Sequence, residues 1–137
     1  MAIRFLLDTN ICIYIAKHNP PAVRARFEQL APDVLAMSAI TFGELQYGAE
    51  KSQARNKALV VLEQLQHAIR IAPLTEAASQ HYGEIRSRLE RIGQPIGNND
   101  LWIAAHARAE GWVLVTNNER EFRRVEGLSV ENWVTAP

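Results

Sequence analysis

The sequence predicts an α/β domain built around a largely parallel sheet, and three observations predict it. Short apolar runs of strand character (Phe5-Leu6-Leu7, Leu35-Ala36-Met37-Ser38, Ile69-Arg70-Ile71-Ala72 and Trp112-Val113-Leu114-Val115) alternate with stretches of helical periodicity. Parallel neighbours need such helical crossovers, so the alternation selects the α/β class. Two of the runs also stop at residues that favour turns and helix caps, Asp8-Thr9-Asn10 and Thr116-Asn117-Asn118. With 137 residues, 47% of them hydrophobic, and no linker, repeat or low-complexity tract, residues 1–137 are expected to form a single domain.

Each element follows from local pattern. Phe5 to Leu7 reads as a buried strand ending at a helix start, and Ile11 to Lys17 as the short helix that follows. Pro20-Pro21 punctuates before a second helix with Val23, Phe27 and Leu30 at helical spacing. After the strand at Leu35, a third helix is expected from Thr41. Phe42, Leu45 and Ala49 share its apolar stripe, and Glu44 and Tyr47 lie on another face, with Glu44 in about the first turn. Ser52 to Gln66 is helical, the strand from Ile69 breaks at Pro73, and Thr75-Glu76 opens the most regular amphipathic helix, through Ala78, Tyr82, Ile85, Leu89 and Ile92 to a stop at Gly93. The run from Gly93 to Asn99 cannot be helical throughout, whereas Leu101 to Ala107 is apolar on nearly every side and predicts a buried helix that Asn98 or Asn99 caps. Glu121 falls on a short helical turn after the strand at Trp112, and Leu128-Ser129-Val130 is a last, weaker strand.

Several function classes are excluded or unsupported. Fifteen basic and fifteen acidic residues balance, so overall charge gives no argument for a nucleic-acid partner. The single cysteine, Cys12, rules out an internal disulfide framework and a cysteine-cluster zinc site. Met1-Ala2-Ile3-Arg4 leads straight into a strand without a secretory h-region, and no apolar run reaches membrane-spanning length, so the expected location is cytoplasmic. Neither a nucleophile elbow nor a glycine-rich phosphate loop is present.

In open α/β sheets, sites collect beyond the carboxyl ends of the strands. Asp8 follows one strand directly, Glu44 lies early in the helix after another, and Asn118 and Glu121 follow a third. Asp100 heads the helix that leads into that third strand, so it joins the others only if the long preceding connection returns to the same edge. Acids gathered there repel one another and are costly to bury, which calls for a cation. Oxygen ligands without Cys or His suit Mg²⁺ or Mn²⁺, and phosphodiester hydrolysis is the natural use of such a site.

Four ordered segments carry a resemblance over nearly the whole chain: Leu6-Leu7-Asp8-Thr9-Asn10, Glu44-Leu45-Gln46-Tyr47-Gly48, the run from Pro95 through Asp100 to His106, and Val115-Thr116-Asn117-Asn118-Glu119-Arg120-Glu121-Phe122. Together they resemble the PIN-domain ribonucleases, and within them the VapC toxins of toxin–antitoxin pairs. The resemblance implies a three-layer α/β/α sandwich and a Mg²⁺- or Mn²⁺-dependent endoribonuclease acting on RNA, with tRNA the expected class. It also implies inhibition by a cognate VapB-like antitoxin, contact with DNA only through that antitoxin, and a homodimer. Carried over by position, Asp8, Glu44 and Asp100 match the three principal metal-binding acids. Relatives often have an aspartate where this chain has Asn117 and Asn118, so Glu121 is expected to supply the fourth catalytic carboxylate. Asn118 and Thr116 are then expected to position a ligand or the scissile phosphate, with Thr9 and Asn10 supporting.

Plainer readings exist for each residue. Asp8 is also a suitable helix cap, Asp100 a helix-start acid, Glu44 an exposed helix glutamate, and Glu121 a partner for Arg120 or Arg124. His106, in an apolar helix, is expected to satisfy a buried hydrogen bond, Trp102 and Trp112 to pack in the core, and Tyr47 and Trp133 to offer surface to a partner. The alternative function is a non-catalytic PIN-like module that binds protein or RNA, which the Asn117-Asn118 pair favours and the three matched acids oppose. An aspartyl-phosphate protein would want a second acid beside Asp8, where Thr9 and Asn10 stand instead.

Overall fold

The computed structural model describes residues 2–134. Five strands, β1 (Phe5–Leu7), β2 (Leu35–Ser38), β3 (Arg70–Ala72), β4 (Val113–Val115) and β5 (Val130–Glu131), form one sheet in the order β3-β2-β1-β4-β5. Every pairing is parallel. The period-two alternation of the central strands divides their side chains between two cores. Phe5, Leu7, Leu35, Met37 and Val115 face one layer, together with Ile11, Ile15 and Leu65. Leu6, Ala36, Ala72 and Leu114 face the other, against Ile85, Leu89, Ile103 and Ala104. Helices therefore cover both faces, and the fold is the three-layer α/β/α sandwich expected.

The helices are α1 (Thr9–Lys17), α2 (Pro21–Glu28), α3 (Ala39–Glu50), α4 (Arg55–Ala68), α5 (Glu76–Arg91), α6 (Asn98–Glu110) and the single turn α7 (Glu119–Phe122). Capping follows local chemistry. Asp8 caps α1 by accepting from the Ile11 N–H, Ser38 caps α3 through Ile40, and Thr75 caps α5 through Ala78. Because Ser38 takes the cap, α3 starts at Ala39 rather than Thr41, and Glu44 falls in its second turn. No asparagine caps α6: Gly97 holds that position without a side-chain bond, and Asn98 and Asn99 are already helical. The last strand sits at Val130–Glu131, slightly later than the weak apolar signal.

The β3-to-β4 connection decides where Asp100 lies. It contains two antiparallel helices: Thr75 at the start of α5 meets Glu110 at the end of α6, and the Tyr82 hydroxyl bonds Asn98 at the start of α6. The ring of Tyr82 stacks on Trp102, centroids 3.9 Å apart, so Trp102 is half-buried between helices rather than part of the core. This hairpin returns the head of α6 to the carboxyl edge that a single crossover helix would have left behind. Trp133 departs from its expected surface role. It is 1% exposed, set edge-on to Phe5, because the chain after β5 folds back over the sheet. Cys12 is a buried free thiol, its pKa pushed up by burial. Among the described residues, no helix is long and apolar enough to cross a membrane.

Candidate metal-binding active site

The strand order reverses between β1 and β4, so their carboxyl ends open side by side at a topological switch point. Asp8 and Thr116 are the first residues past those ends. The Asp8 N–H donates to the Val115 carbonyl at 3.0 Å, and the Thr116 Oγ1 donates to Asp8 Oδ2 at 2.5 Å. Asp8 Oδ1 takes the Ile11 N–H at 2.9 Å. The carboxylate is 5% exposed and held from both sides. Its roles as helix cap and as site acid are thus compatible, one oxygen serving each. Burial pushes its pKa up to about 6 despite these donors, with a further rise from Glu44.

Asp100 enters from the first turn of α6. Its pKa is also raised to about 6, by burial first and then by the negative charges of Glu121, Glu44 and Asp8. Glu121 also shares a side-chain hydrogen bond with Asp100. Glu44 reaches in from α3, where its Oε1 accepts from Thr9 Oγ1 at 2.5 Å and its Oε2 from Asn99 Nδ2 at 3.3 Å. Glu121 on α7 has its Oε2 held by Asn118 Nδ2 at 2.9 Å, and the Asn118 N–H is fixed by Thr116 Oγ1 at 2.9 Å. Among the described residues, none of these acids forms an ion pair with Lys or Arg.

The arrangement brings together Asp8, Glu44, Asp100 and Glu121, with Thr9, Thr116 and Asn118 bonded to three of them. Thr116 is fully buried, so its hydroxyl holds Asp8 and the 118 turn rather than facing solvent. Asn10 differs from the rest. Its side chain is exposed, and its backbone N–H is what acts on Asp8. Asn99, which fastens Glu44 to the head of α6, is a site residue that sequence reasoning considered solely as a cap. Asn117 points away, towards Tyr14 and Asn132. His106 is buried with Nδ1 2.9 Å from Ser38 Oγ, and burial lowers its pKa; it is a core group behind the site, as expected.

The donor set fits a hard divalent cation: all oxygen, several negative charges, and no internal counter-charge. Among the described residues, no three Asp, Glu, His or Cys side chains enclose a single ion-sized position. Mg²⁺ is compatible with that spacing, since it keeps several waters and takes one or two carboxylates directly.

Known proteins share this fold. The family model described as PIN domain matches residues 5–128. A Shigella flexneri protein named tRNA(fMet)-specific endonuclease VapC is 47% identical over 131 residues, covering 96% of this chain and 98% of the relative. Two solved structures superpose with TM-scores of 0.90 and 0.89. One is a DNA-bound VapBC from Salmonella typhimurium, 42% identical over 96% of this chain and 98% of that one. The other is VapBC2 from Rickettsia felis bound to a promoter DNA fragment, 40% identical over 96% of this chain and 99% of that one.

Proposed function

The chain belongs to the PIN-domain family and, within it, to the VapC ribonucleases, and we propose that it hydrolyses tRNA with a Mg²⁺ or Mn²⁺ ion held by Asp8, Asp100 and Glu44, by one or two of them directly and otherwise through the ion's own waters. The observation that carries this reading is the set of four acids at the switch point, buried or half-buried, that the protein itself leaves without a cation. A module retained for binding alone would have no reason to sustain that repulsion.

A divalent ion bound there supplies charge to the scissile phosphate and acidity to a water molecule. The protein's own part is orientation. Thr116 and the Ile11 N–H fix both oxygens of Asp8 in advance, so its carboxylate pays no reorganisation when the substrate arrives. Thr9 and Asn99 set Glu44 in the same way, coupling α1, α3 and α6. Asn118 holds Glu121 Oε2, and the Glu121 carboxylate shares a hydrogen bond with Asp100, which keeps it beside the acid whose ion it would assist in the fourth catalytic role expected of it.

The substrate assignment leans on the Shigella flexneri relative, named for a tRNA. The partner assignment leans on the solved VapBC complexes: a VapB-like antitoxin neutralises the chain, and DNA is met through that antitoxin. A homodimer acting in the cytoplasm, where tRNA is found, completes the reading. The test is cleavage of purified tRNA by the protein in Mg²⁺ or Mn²⁺, with an EDTA control and the Asp100→Asn variant. Metal-dependent cutting that the variant loses is expected. A folded wild type that binds the antitoxin but leaves every tRNA intact would instead support a non-catalytic module.

A further inference from the structure

Residues 40, 43, 44, 47 and 48 of α3, with Lys51 at its C-cap, recur at three- and four-residue steps and share one stripe of the helix. Ile40 packs against the core and Glu44 belongs to the acid cluster. Beyond Glu44 the stripe runs outward as Tyr47, Gly48 and Lys51. It floors a groove of about 640 Å³ whose other wall includes Thr9 and Asn99, the two residues that bond Glu44, so the groove borders the acid cluster at Glu44.

Two features of this groove have no structural use. Tyr47 is 65% exposed, and the Lys51 ammonium stands 4.6 Å from its ring centroid. Lys51 has no carboxylate partner among the described residues. Gly43 and Gly48 lie inside the helix, where each costs helix stability relative to alanine. Neither is required by its backbone conformation or by a close neighbour: an added Cβ would meet nothing within 4 Å at either. What the two glycines supply is a bare floor on both sides of an exposed aromatic ring.

Resting on the ribonuclease reading, we propose that Tyr47 and Lys51 form the platform on which an unpaired base beside the scissile phosphate stacks. Lys51 meets the phosphate of that nucleotide, and the bare backbone at Gly43 and Gly48 admits the base. Single-stranded RNA fits this chemistry better than a peptide does. It presents a flat π-face to the ring and an anion to the lysine at a one-nucleotide step, and the ring lies one helical turn from Glu44.

The test measures tRNA cleavage kinetics and, in the Asp100→Asn background, anisotropy binding of a fluorescein-labelled mixed-sequence RNA dodecamer. Tyr47→Ala should weaken both KM and the dodecamer Kd by about five- to a hundredfold, the range that loss of one base stack gives. The loss should fall on KM rather than kcat, and Tyr47→Phe should recover most of it. Gly43→Leu, which leaves the ring intact and is favourable for the helix, should weaken binding by filling the floor. Unchanged KM and Kd in folded Tyr47→Ala and Gly43→Leu proteins would overturn the proposal. So would losses confined to antitoxin binding or self-association, which would make the groove a protein interface. If the wild type cut no tRNA, the ribonuclease reading would fail while the dodecamer binding still decided on the platform.

Discussion

The two ends of helix α6 carry opposite charges and are treated in opposite ways. At its tail, Arg108 donates from Nε to His81 Nδ1, from Nη1 to the Glu126 carbonyl and from Nη2 to Glu84, each near 3 Å, in a side chain 14% exposed. At its head, Asp100 meets three further acids and no cation. Both signs suit the helix dipole, so the dipole does not explain the difference. The difference lies in the partners. Where the charge is structural the fold has answered it, and where it is functional the fold has gathered more of the same sign.

Changes at the unanswered end should cost activity and spare the fold. Asp8→Asn keeps the cap on α1 but removes a ligand charge, and kcat for tRNA should fall by at least about a thousandfold, or about 4 kcal/mol. Retained activity in a steady-state assay would remove Asp8 from the catalytic group. Thr116→Val should lower kcat about ten- to a hundredfold, because a hydrogen bond to a charged group contributes about 1.5–3 kcal/mol. Thr116→Ser should restore much of it, and equal losses in the two variants would show that packing, not the hydroxyl, matters. At the answered end the sense reverses. Arg108→Ala should lower stability by about 1–2 kcal/mol in denaturant melts and leave kcat/KM for tRNA alone. An activity loss without a stability loss would show that the two ends are not separate.

The smallest effect concerns pH. Asp8 and Asp100 have pKa values raised to about 6 in the fold, against an ordinary value of about 4. The folded state therefore takes up protons between those limits, and in chelator the melting temperature should gain a contribution as pH falls from 7 towards 5. Glu119 and Glu50 behave oppositely. Their pKa values are lowered, by Asn132 then Arg123 and by Arg55 then Gln46, so what they contribute is present at neutral pH and lost below the ordinary glutamate range. Differential scanning fluorimetry across pH separates the two windows.

Much of this was legible in the sequence because strand ends and helix caps are local signals. The run Phe5-Leu6-Leu7 followed by Asp8 announces both a buried strand and the acid at its end, and Val115-Thr116 repeats the pattern. The position of Asp100 was not legible. It depends on α5 and α6 pairing antiparallel, through contacts such as Thr75 with Glu110 that lie far apart in sequence. Asparagine at a helix start usually serves its own backbone, so the sequence predicts a cap at Asn98 or Asn99; in the structure Gly97 takes the cap position and the Asn99 amide turns to Glu44. Trp133, expected to offer surface to a partner, is buried by a contact no local pattern announces, with Phe5 at the other end of the chain.

The central claim is that the head of α6 sustains a repulsion that a divalent cation relieves. The direct measurement is the melting temperature of wild type and Asp100→Asn at pH 7.5, each in chelator and in manganese. The account predicts that the variant melts higher than wild type in chelator, and that manganese raises the wild type and leaves the variant nearly unmoved. A variant that melts lower in chelator, with manganese acting equally on both, would contradict it.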